Sequence, residues 1–188
     1  MNNFIKHLLC DYRLYLFLAL VSIIVGSGKR YINIFNIVKK YYKVVIDKSW
    51  GNFFAFICAP FCLALSVNFK KTIDNDMLNI IMVTISILMS AFFAYLTYFH
   101  DREVNWPEKP GNYNLKKQKK TYFSETKAVA SYEILLSILI LLLSFIFPLF
   151  SESVQRKVSA MIYFSFFHLL MNLFMLLKRY DSSLQDDT

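Results

Sequence analysis

The sequence contains few of the residues that build loops, disulfide bridges and metal sites. Its 188 residues include only four glycines and four prolines, so it has little material for long loops. Its three cysteines are an odd number in apolar surroundings, which argues against a disulfide framework. Cys58 and Cys62 flank Pro60, but no histidine or further cysteine nearby completes a metal site. We interpret both thiols as small core residues and predict no bound metal.

Signatures of catalysis are also missing from the sequence. The three histidines, His7, His100 and His168, fall on separate segments, and no G-x-S-x-G, H-E-x-x-H or P-loop pattern occurs. His100 and Asp101 can form an acid–base pair, but no nucleophile accompanies them. The sequence therefore predicts a protein that is not an enzyme and that carries no cofactor.

Apolar and aromatic residues are abundant instead. Hydrophobic residues make up 56% of the chain, with 19 phenylalanines and 12 tyrosines. A soluble domain of this size cannot bury so much apolar surface, whereas lipid tails solvate it. The net charge of +8 then indicates the positive-inside bias and attraction to membrane lipids rather than direct binding to nucleic acid. We predict one all-α domain over residues 1–188, a polytopic membrane helix bundle of four to five transmembrane helices.

Uncharged stretches mark the candidate spans. Four of them have spanning length, at residues 50–69, 77–99, 134–150 and 158–177. A fifth, at 14–27, is shorter, so it either spans the bilayer or lies on its surface. The short polar connections 70–76 and 151–157 predict two antiparallel hairpins, and Pro60 predicts a kink in the first of these spans.

The segment 28–49 combines lysines with a helical repeat of apolar residues. Ile32, Phe35, Val38, Tyr42 and Val45 recur at steps of three or four residues. This pattern is typical of an amphipathic helix that lies in the membrane interface while its lysine side chains extend to the head groups.

The segment 100–130 is the main hydrophilic loop, and with 28–49 it is where we expect a soluble protein partner to bind. Lys116–Lys120 with Tyr113, Tyr122 and Phe123 would suit single-stranded nucleic acid, but the cluster is too small to be specific. The candidate partner-binding residues in the two segments are Lys39, Lys40, Lys43, Trp106, Lys116, Lys117, Lys119 and Lys120.

The distribution of charge between the loops predicts orientation. Segments 28–50 and 99–130, with the tail after residue 177, carry 15 lysines and arginines, whereas connections 70–76 and 151–157 carry four. The basic segments and the C-terminus are therefore expected in the cytoplasm. The N-terminus is outside with five spans and inside with four.

Two stripes of polar residues lie within the predicted spans, where hydrocarbon penalises them. Ser165, His168 and Asn172 share one face of the last helix, and Glu133, Ser137 and Ser144 share one face of the helix before it. Either stripe can line a pore or form hydrogen bonds between helices, and we favour the second interpretation. We place Glu133 at the cytoplasmic mouth, where copies in an oligomer would form a carboxylate ring.

This layout resembles a known kind of protein. A chain of about four spans with a basic cytoplasmic loop, rich in Ile, Asn, Phe, Tyr and Lys, resembles the membrane subunits of bacterial antiphage systems. In size and shape it is similar to the membrane subunit of the Kiwa system. The resemblance implies an inner-membrane protein that senses events at the envelope and docks a soluble DNA-binding partner. It covers the layout of the whole chain and assigns no functional residue.

Three hypotheses follow from these observations. The first is a non-enzymatic sensor or scaffold in antiphage defence that forms homo-oligomers and binds a cytoplasmic protein through its basic loops. The second is an oligomeric channel or membrane-disrupting effector lined by one of the polar stripes. The third is a bacteriocin immunity protein, which would bind a toxin within the membrane and need no cytoplasmic partner.

Overall fold

The computed structural model describes residues 34–104 and 113–185, with side chains for residues 34–104 and 120–180. The chain divides into two compact units, residues 1–37 and 38–188. Of the first unit, only the helical residues 34–37 are described. The second unit contains all the long helices that are described. The candidate span at 14–27 lies outside the described residues.

Every regular element in the described ranges is helical. Helix α1 (Ile34–Tyr41) continues into a π-helical turn at Tyr42–Ile46, and α2 occupies Trp50–Lys70. Three longer helices follow, α3 (Asn75–Val104), α4 (Tyr113–Ile146) and α5 (Glu152–Gln185), with a 3-10 turn at Phe147–Leu149 between the last two.

Four stretches are long and apolar enough to cross a bilayer. They are Trp50–Lys70, Asn75–Val104, Lys120–Leu149 and Glu152–Tyr180. The predicted all-α, membrane-spanning class of fold is therefore confirmed for the described part of the chain.

Two boundaries differ from the sequence-based prediction. Helix α4 begins at Tyr113, so Lys116 to Lys120 lie on a helix and not in a loop. Lysine and glutamine are good helix formers, and no proline or glycine follows Gly111 until Pro148. Helix α5 begins at Glu152 rather than at residue 158, so the connection before it shrinks to Phe150 and Ser151.

The packing of the helices does not follow their order along the chain. Helix α2 packs mainly against α5, α3 against α4, and α4 against α5. The first predicted hairpin is therefore only partly correct. Helices α2 and α3 are consecutive and joined by a short connection, but in the described residues they pack on each other much less than on α5 and α4. The connection between α2 and α3, residues 71–74, packs against α5 instead. Ile73 is buried there and donates its N–H to the Ser159 hydroxyl at 3.3 Å.

Short local contacts fix where the helices begin. The Ser49 hydroxyl accepts from the Asn52 N–H at 3.2 Å and caps α2. The Asp74 carboxylate accepts from the Met77 N–H at 2.8 Å at the start of α3. Its hydrogen bond with the Lys71 ammonium, and then the Met77 bond, hold the pKa of Asp74 below its usual range.

Lysines and arginines at one end of the bundle define what we call the basic end. It comprises residues 38–49, the end of α3, the start of α4 and the end of α5. Apolar side chains on α2 and α3 face outward over the length of the bundle, including Phe54, Phe61, Ile80, Val83 and Ile87. An outward apolar surface is what helices surrounded by lipid require.

Candidate functional site

Five polar side chains meet inside the bundle near the basic end. Tyr41 ends α1, Tyr132 and Glu133 belong to α4, and His168 and Asn172 belong to α5. We call these five residues the polar cluster. Glu133 and Asn172 are fully buried, and His168 and Tyr41 are 2% and 3% exposed. The two polar stripes predicted on separate helices therefore face each other within one chain.

Asn172 is the centre of the cluster. Its side-chain oxygen accepts from the Tyr41 hydroxyl at 2.9 Å, and its Nδ2 donates to Glu133 Oε1 at 2.7 Å. The same Nδ2 lies 3.2 Å from His168 Nε2. Because residues four apart on a helix share a face, α5 presents His168 and Asn172 together toward α4.

His168 connects the cluster to α2. Its Nδ1 donates to the main-chain carbonyl of Phe56, which lies in the π-helical turn Phe54–Cys58. In an α-helix that carbonyl would accept from residue 60, but Pro60 has no N–H to donate. The backbone distortion expected at Pro60 is therefore the π-helical turn just before it. The Phe56 carbonyl, which has no N–H of residue 60 to bind, accepts from His168 instead.

The hydrogen bonds assign the state of the imidazole. With Nδ1 donating to Phe56, Nε2 is left as the acceptor for the Tyr132 hydroxyl at 3.3 Å and for the Asn172 amide. The Tyr41 hydroxyl lies 3.3 Å from the same nitrogen. A second proton on His168 would place two donors against each other, so this arrangement holds the neutral imidazole.

Tyr41 attaches residues 38–49, which we call the basic segment, to the membrane helices. Its ring stacks on that of Tyr132, with centroids 3.8 Å apart and an angle of 11° between the planes. Burial raises the pKa of the Tyr41 phenol, so the hydroxyl keeps its proton and donates it to Asn172. The π-helical turn that follows buries Val44, Val45 and Ile46, and Asn52 donates to the Val45 carbonyl at 2.8 Å.

Removal of only the Tyr41 hydroxyl should have a measurable effect. Tyr41→Phe keeps the stacking on Tyr132 but removes the donor to Asn172, so we expect a loss of about 1 kcal/mol, as for hydrogen bonds between membrane helices. The free energy of unfolding in mixed detergent micelles measures it. Tyr42→Phe is the matched control because Tyr42 is 55% exposed. An equal loss in both variants would contradict the anchoring role of Tyr41.

The sequence did not single out Tyr41. The predicted apolar face used Tyr42 and Val38, which are 55% and 41% exposed, while Val45 alone of the three is buried. The face that enters the bundle is formed by Tyr41, Val44 and Val45. Exposed Val38 and Tyr42 suit contact with lipid, so the interfacial position of this helix stays a prediction.

Glu133 lies deeper than predicted. The sequence predicts Glu133 at the mouth of a span that starts at residue 134, but α4 is helical from Tyr113 and its candidate span begins at Lys120. Glu133 lies six residues beyond Lys127, about 9 Å along the helix at 1.5 Å per residue. Its complete burial within one chain also removes it from the outer surface that an oligomeric carboxylate ring needs. Ser137 is equally buried, and Ser165 is 9% exposed.

Ion pairs lie at the basic end, and the one between Lys48 and Glu125 joins the basic segment to α4. Glu125 accepts from Lys48 at 2.8 Å and lies 3.7 Å from Arg179, whose guanidinium also donates to the Thr126 hydroxyl at 3.1 Å. A further pair joins Lys127 to Glu103. Pairs this close to solvent contribute at most about 1 kcal/mol each, so they orient the segment more than they stabilise it.

The candidate partner-binding lysines occupy the basic end where they are described. Lys39, Lys40 and Lys43 are exposed, and the Lys40 ammonium lies 3.2 Å from the Ser124 hydroxyl. Lys120 is exposed near the start of α4. Trp106 lies outside the described residues, as do the side chains of Lys116, Lys117 and Lys119.

The described residues contain no group of three or more metal-binding side chains. Cys58 and Cys62 are free thiols, and Cys62 is exposed, so the prediction that both are core residues is wrong. No protein-family model matches the chain, and no curated protein or solved structure matches it significantly. Its own geometry therefore carries the functional argument: an all-α chain with four candidate spans and a polar cluster that ties its basic segment to three of them.

Proposed function

We propose that this chain is a non-enzymatic sensor or scaffold of the bacterial inner membrane, acting in antiphage defence. In this proposal its basic end faces the cytoplasm, as the positive-inside rule predicts, and binds a soluble protein. Changes in the packing of the membrane helices alter how the basic segments are presented to that partner. The antiphage role comes from the resemblance in layout and from nothing else.

One observation carries the sensing part of the proposal. Tyr41 belongs to the basic segment, yet it donates to Asn172 on α5 and stacks on Tyr132 of α4. Through His168 the same cluster reaches the Phe56 carbonyl of α2. A relative shift of α2, α4 and α5 would therefore change the site in which the Tyr41 side chain packs. That is the physical link a sensor needs between the membrane and a cytoplasmic surface.

In this proposal the lysines of the basic segment and of the start of α4 form the docking surface. Lys39, Lys40 and Lys43 flank Tyr41, and Lys116 to Lys120 lie in the first turns of α4. Lysines grouped on a surface favour a partner with an acidic face, and they raise its rate of association more than its final affinity.

The test compares two variants that lose the same number of charges. The first replaces Lys116, Lys117, Lys119 and Lys120 by glutamine, and the second replaces Lys70, Lys71, Arg156 and Lys157 at the opposite end. Each tagged protein is purified in mild detergent from cells that express its native operon, and the proteins that copurify are quantified by mass spectrometry. Protease access to a C-terminal tag checks that the orientation is unchanged.

We expect a stoichiometric soluble partner with the wild type and with the second variant, and a loss of at least about tenfold with the first. Equal recovery from both variants would show that the first turns of α4 are not the docking surface. Two differently tagged copies in the same cells test the predicted homo-oligomer. A homo-oligomer without any soluble partner would contradict the scaffold proposal and favour the channel.

A further inference from the structure

Three buried oxygen atoms on α4 have no hydrogen-bond partner among the described residues. They are Glu133 Oε2, Ser137 Oγ and Ser144 Oγ. The three residues are at most 1% exposed. Their spacing of 4 and 11 residues from Glu133 places them on one face of the helix. We call this the α4 polar face.

Other hydroxyls in the same bundle behave differently. Ser66, Ser86, Ser90 and Thr97 are exposed on α2 and α3, and each donates to the carbonyl four residues earlier at 2.8 to 3.1 Å. This hydrogen bond to the preceding turn is the usual way in which the hydroxyl of a helical serine or threonine finds an acceptor in an apolar environment. Ser137 and Ser144 do not use it, although they are the more deeply buried.

Unsatisfied polar atoms are costly inside a membrane protein, so each one requires an explanation. The carboxyl group of Glu133 has one oxygen engaged by Asn172 and the other free. No described lysine or arginine forms an ion pair with it, and the described residues hold no metal-binding group of three or more side chains. Water and a proton are the ligands that fit one carboxyl oxygen followed by hydroxyls along a helix.

The α4 polar face also has the length and position of a path. From Glu133 to Ser144 the helix rises about 17 Å, roughly half of the hydrocarbon core of a bilayer. Toward the basic end the polar series continues through buried Thr126, which accepts from Arg179. Toward the opposite end, buried Ser159 of α5 lies beside the connection at Ile73.

We propose that the α4 polar face is a hydrated proton path through the interior of a single chain, closed by the side chain of Ile140. Ile140 lies between Ser137 and Ser144 on the same face and is fully buried. An apolar side chain at such a point blocks conduction by excluding water. The inference goes beyond the sensor function, and it replaces an oligomeric pore with a path inside the protomer.

In this proposal, a proton moves along the path from water to Glu133 and then to water again, with no change in oxidation state. A proton arriving through water from the basic end forms an O–H bond at Glu133 Oε2. That bond breaks as the proton passes to a water molecule held by the Ser137 hydroxyl, and the carboxylate forms again. One proton leaves beyond Ser144 for each one that enters, and Asn172 holds the other carboxyl oxygen throughout.

The test opens the path and then removes its proton acceptor. Wild type and variants are reconstituted in phosphatidylethanolamine–phosphatidylglycerol vesicles that contain a pH-sensitive dye, with valinomycin and potassium to balance charge. Ile140→Ser should raise the proton flux about tenfold, the factor expected when a side chain of that size no longer opposes hydration. Adding Glu133→Gln, which keeps the acceptor for Asn172, should return the flux to the wild-type level.

Leu142→Ser is the matched control, since Leu142 lies on the same helix but is 51% exposed. Its flux should equal that of the wild type. If Ile140→Ser fails to insert, Ile140→Thr keeps the branched shape and provides the same hydroxyl. The proposal is overturned if the inserted Ile140 variants conduct no better than the wild type, if Leu142→Ser conducts equally, or if Glu133→Gln leaves the raised flux unchanged.

Discussion

Asn172→Leu should destabilise the bundle by about 3 kcal/mol, the largest effect that we expect from one substitution in the polar cluster. Asn172 contacts Tyr41, Glu133 and His168. Hydrogen bonds between helices in a membrane protein average roughly 0.6 kcal/mol, so the two that Asn172 forms with Tyr41 and Glu133 account for about 1 kcal/mol. The rest comes from the Glu133 carboxyl, which would be left buried without a partner on either oxygen.

A matched substitution separates this effect from a general response to leucine. Asn79 is exposed on α3, and Asn79→Leu makes the same chemical change away from the cluster. We expect it to alter the free energy of unfolding by no more than about 0.5 kcal/mol. Both values come from unfolding in mixed detergent micelles. A difference between the two variants of less than about 1 kcal/mol would show that the cluster contributes little to packing.

The second large effect concerns the attachment of the basic segment. Tyr41→Ala removes both the stacking on Tyr132 and the hydrogen bond to Asn172, so the π-helical turn should leave the bundle. Val45 is 1% exposed in the folded chain and reports this change. In a chain without its native cysteines, Val45→Cys should be protected from a charged maleimide, whereas Tyr42→Cys should be labelled. Adding Tyr41→Ala should raise the labelling at position 45 to the level at position 42.

Hydropathy predicts much of this architecture. Length and apolar composition alone predict the four spans, because a bilayer sets the number of apolar residues that a helix needs. The sequence also identifies Glu133, His168 and Asn172 as candidate residues, since polar groups within a span are energetically costly. It does not predict that they form one cluster, because helical periodicity relates only residues on the same helix.

The remaining features depend on contacts between residues distant in sequence. Tyr41 and Asn172 are 131 residues apart, and no local repeat relates them. The π-helical turn before Pro60 leaves a carbonyl to which His168 donates 112 residues later. The packing of α2 on α5, and the nearby contact of Ile73 with Ser159, likewise join residues that are far apart in the sequence. Helical periodicity identifies an apolar face but not which of two adjacent tyrosines enters the bundle, and the packing buries Tyr41 and exposes Tyr42.

In the proposed function, the packing of the membrane helices controls the position of the basic segment. Maleimide labelling of Val45→Cys in inside-out vesicles, with and without Asn172→Leu, tests this, because Asn172→Leu is a change made in a membrane helix. We expect a large rise in labelling at position 45, while Ala128→Cys, 7% exposed on α4, stays protected because the bundle remains folded. Unchanged labelling at position 45 would contradict the claim, and so would an equal rise at position 128.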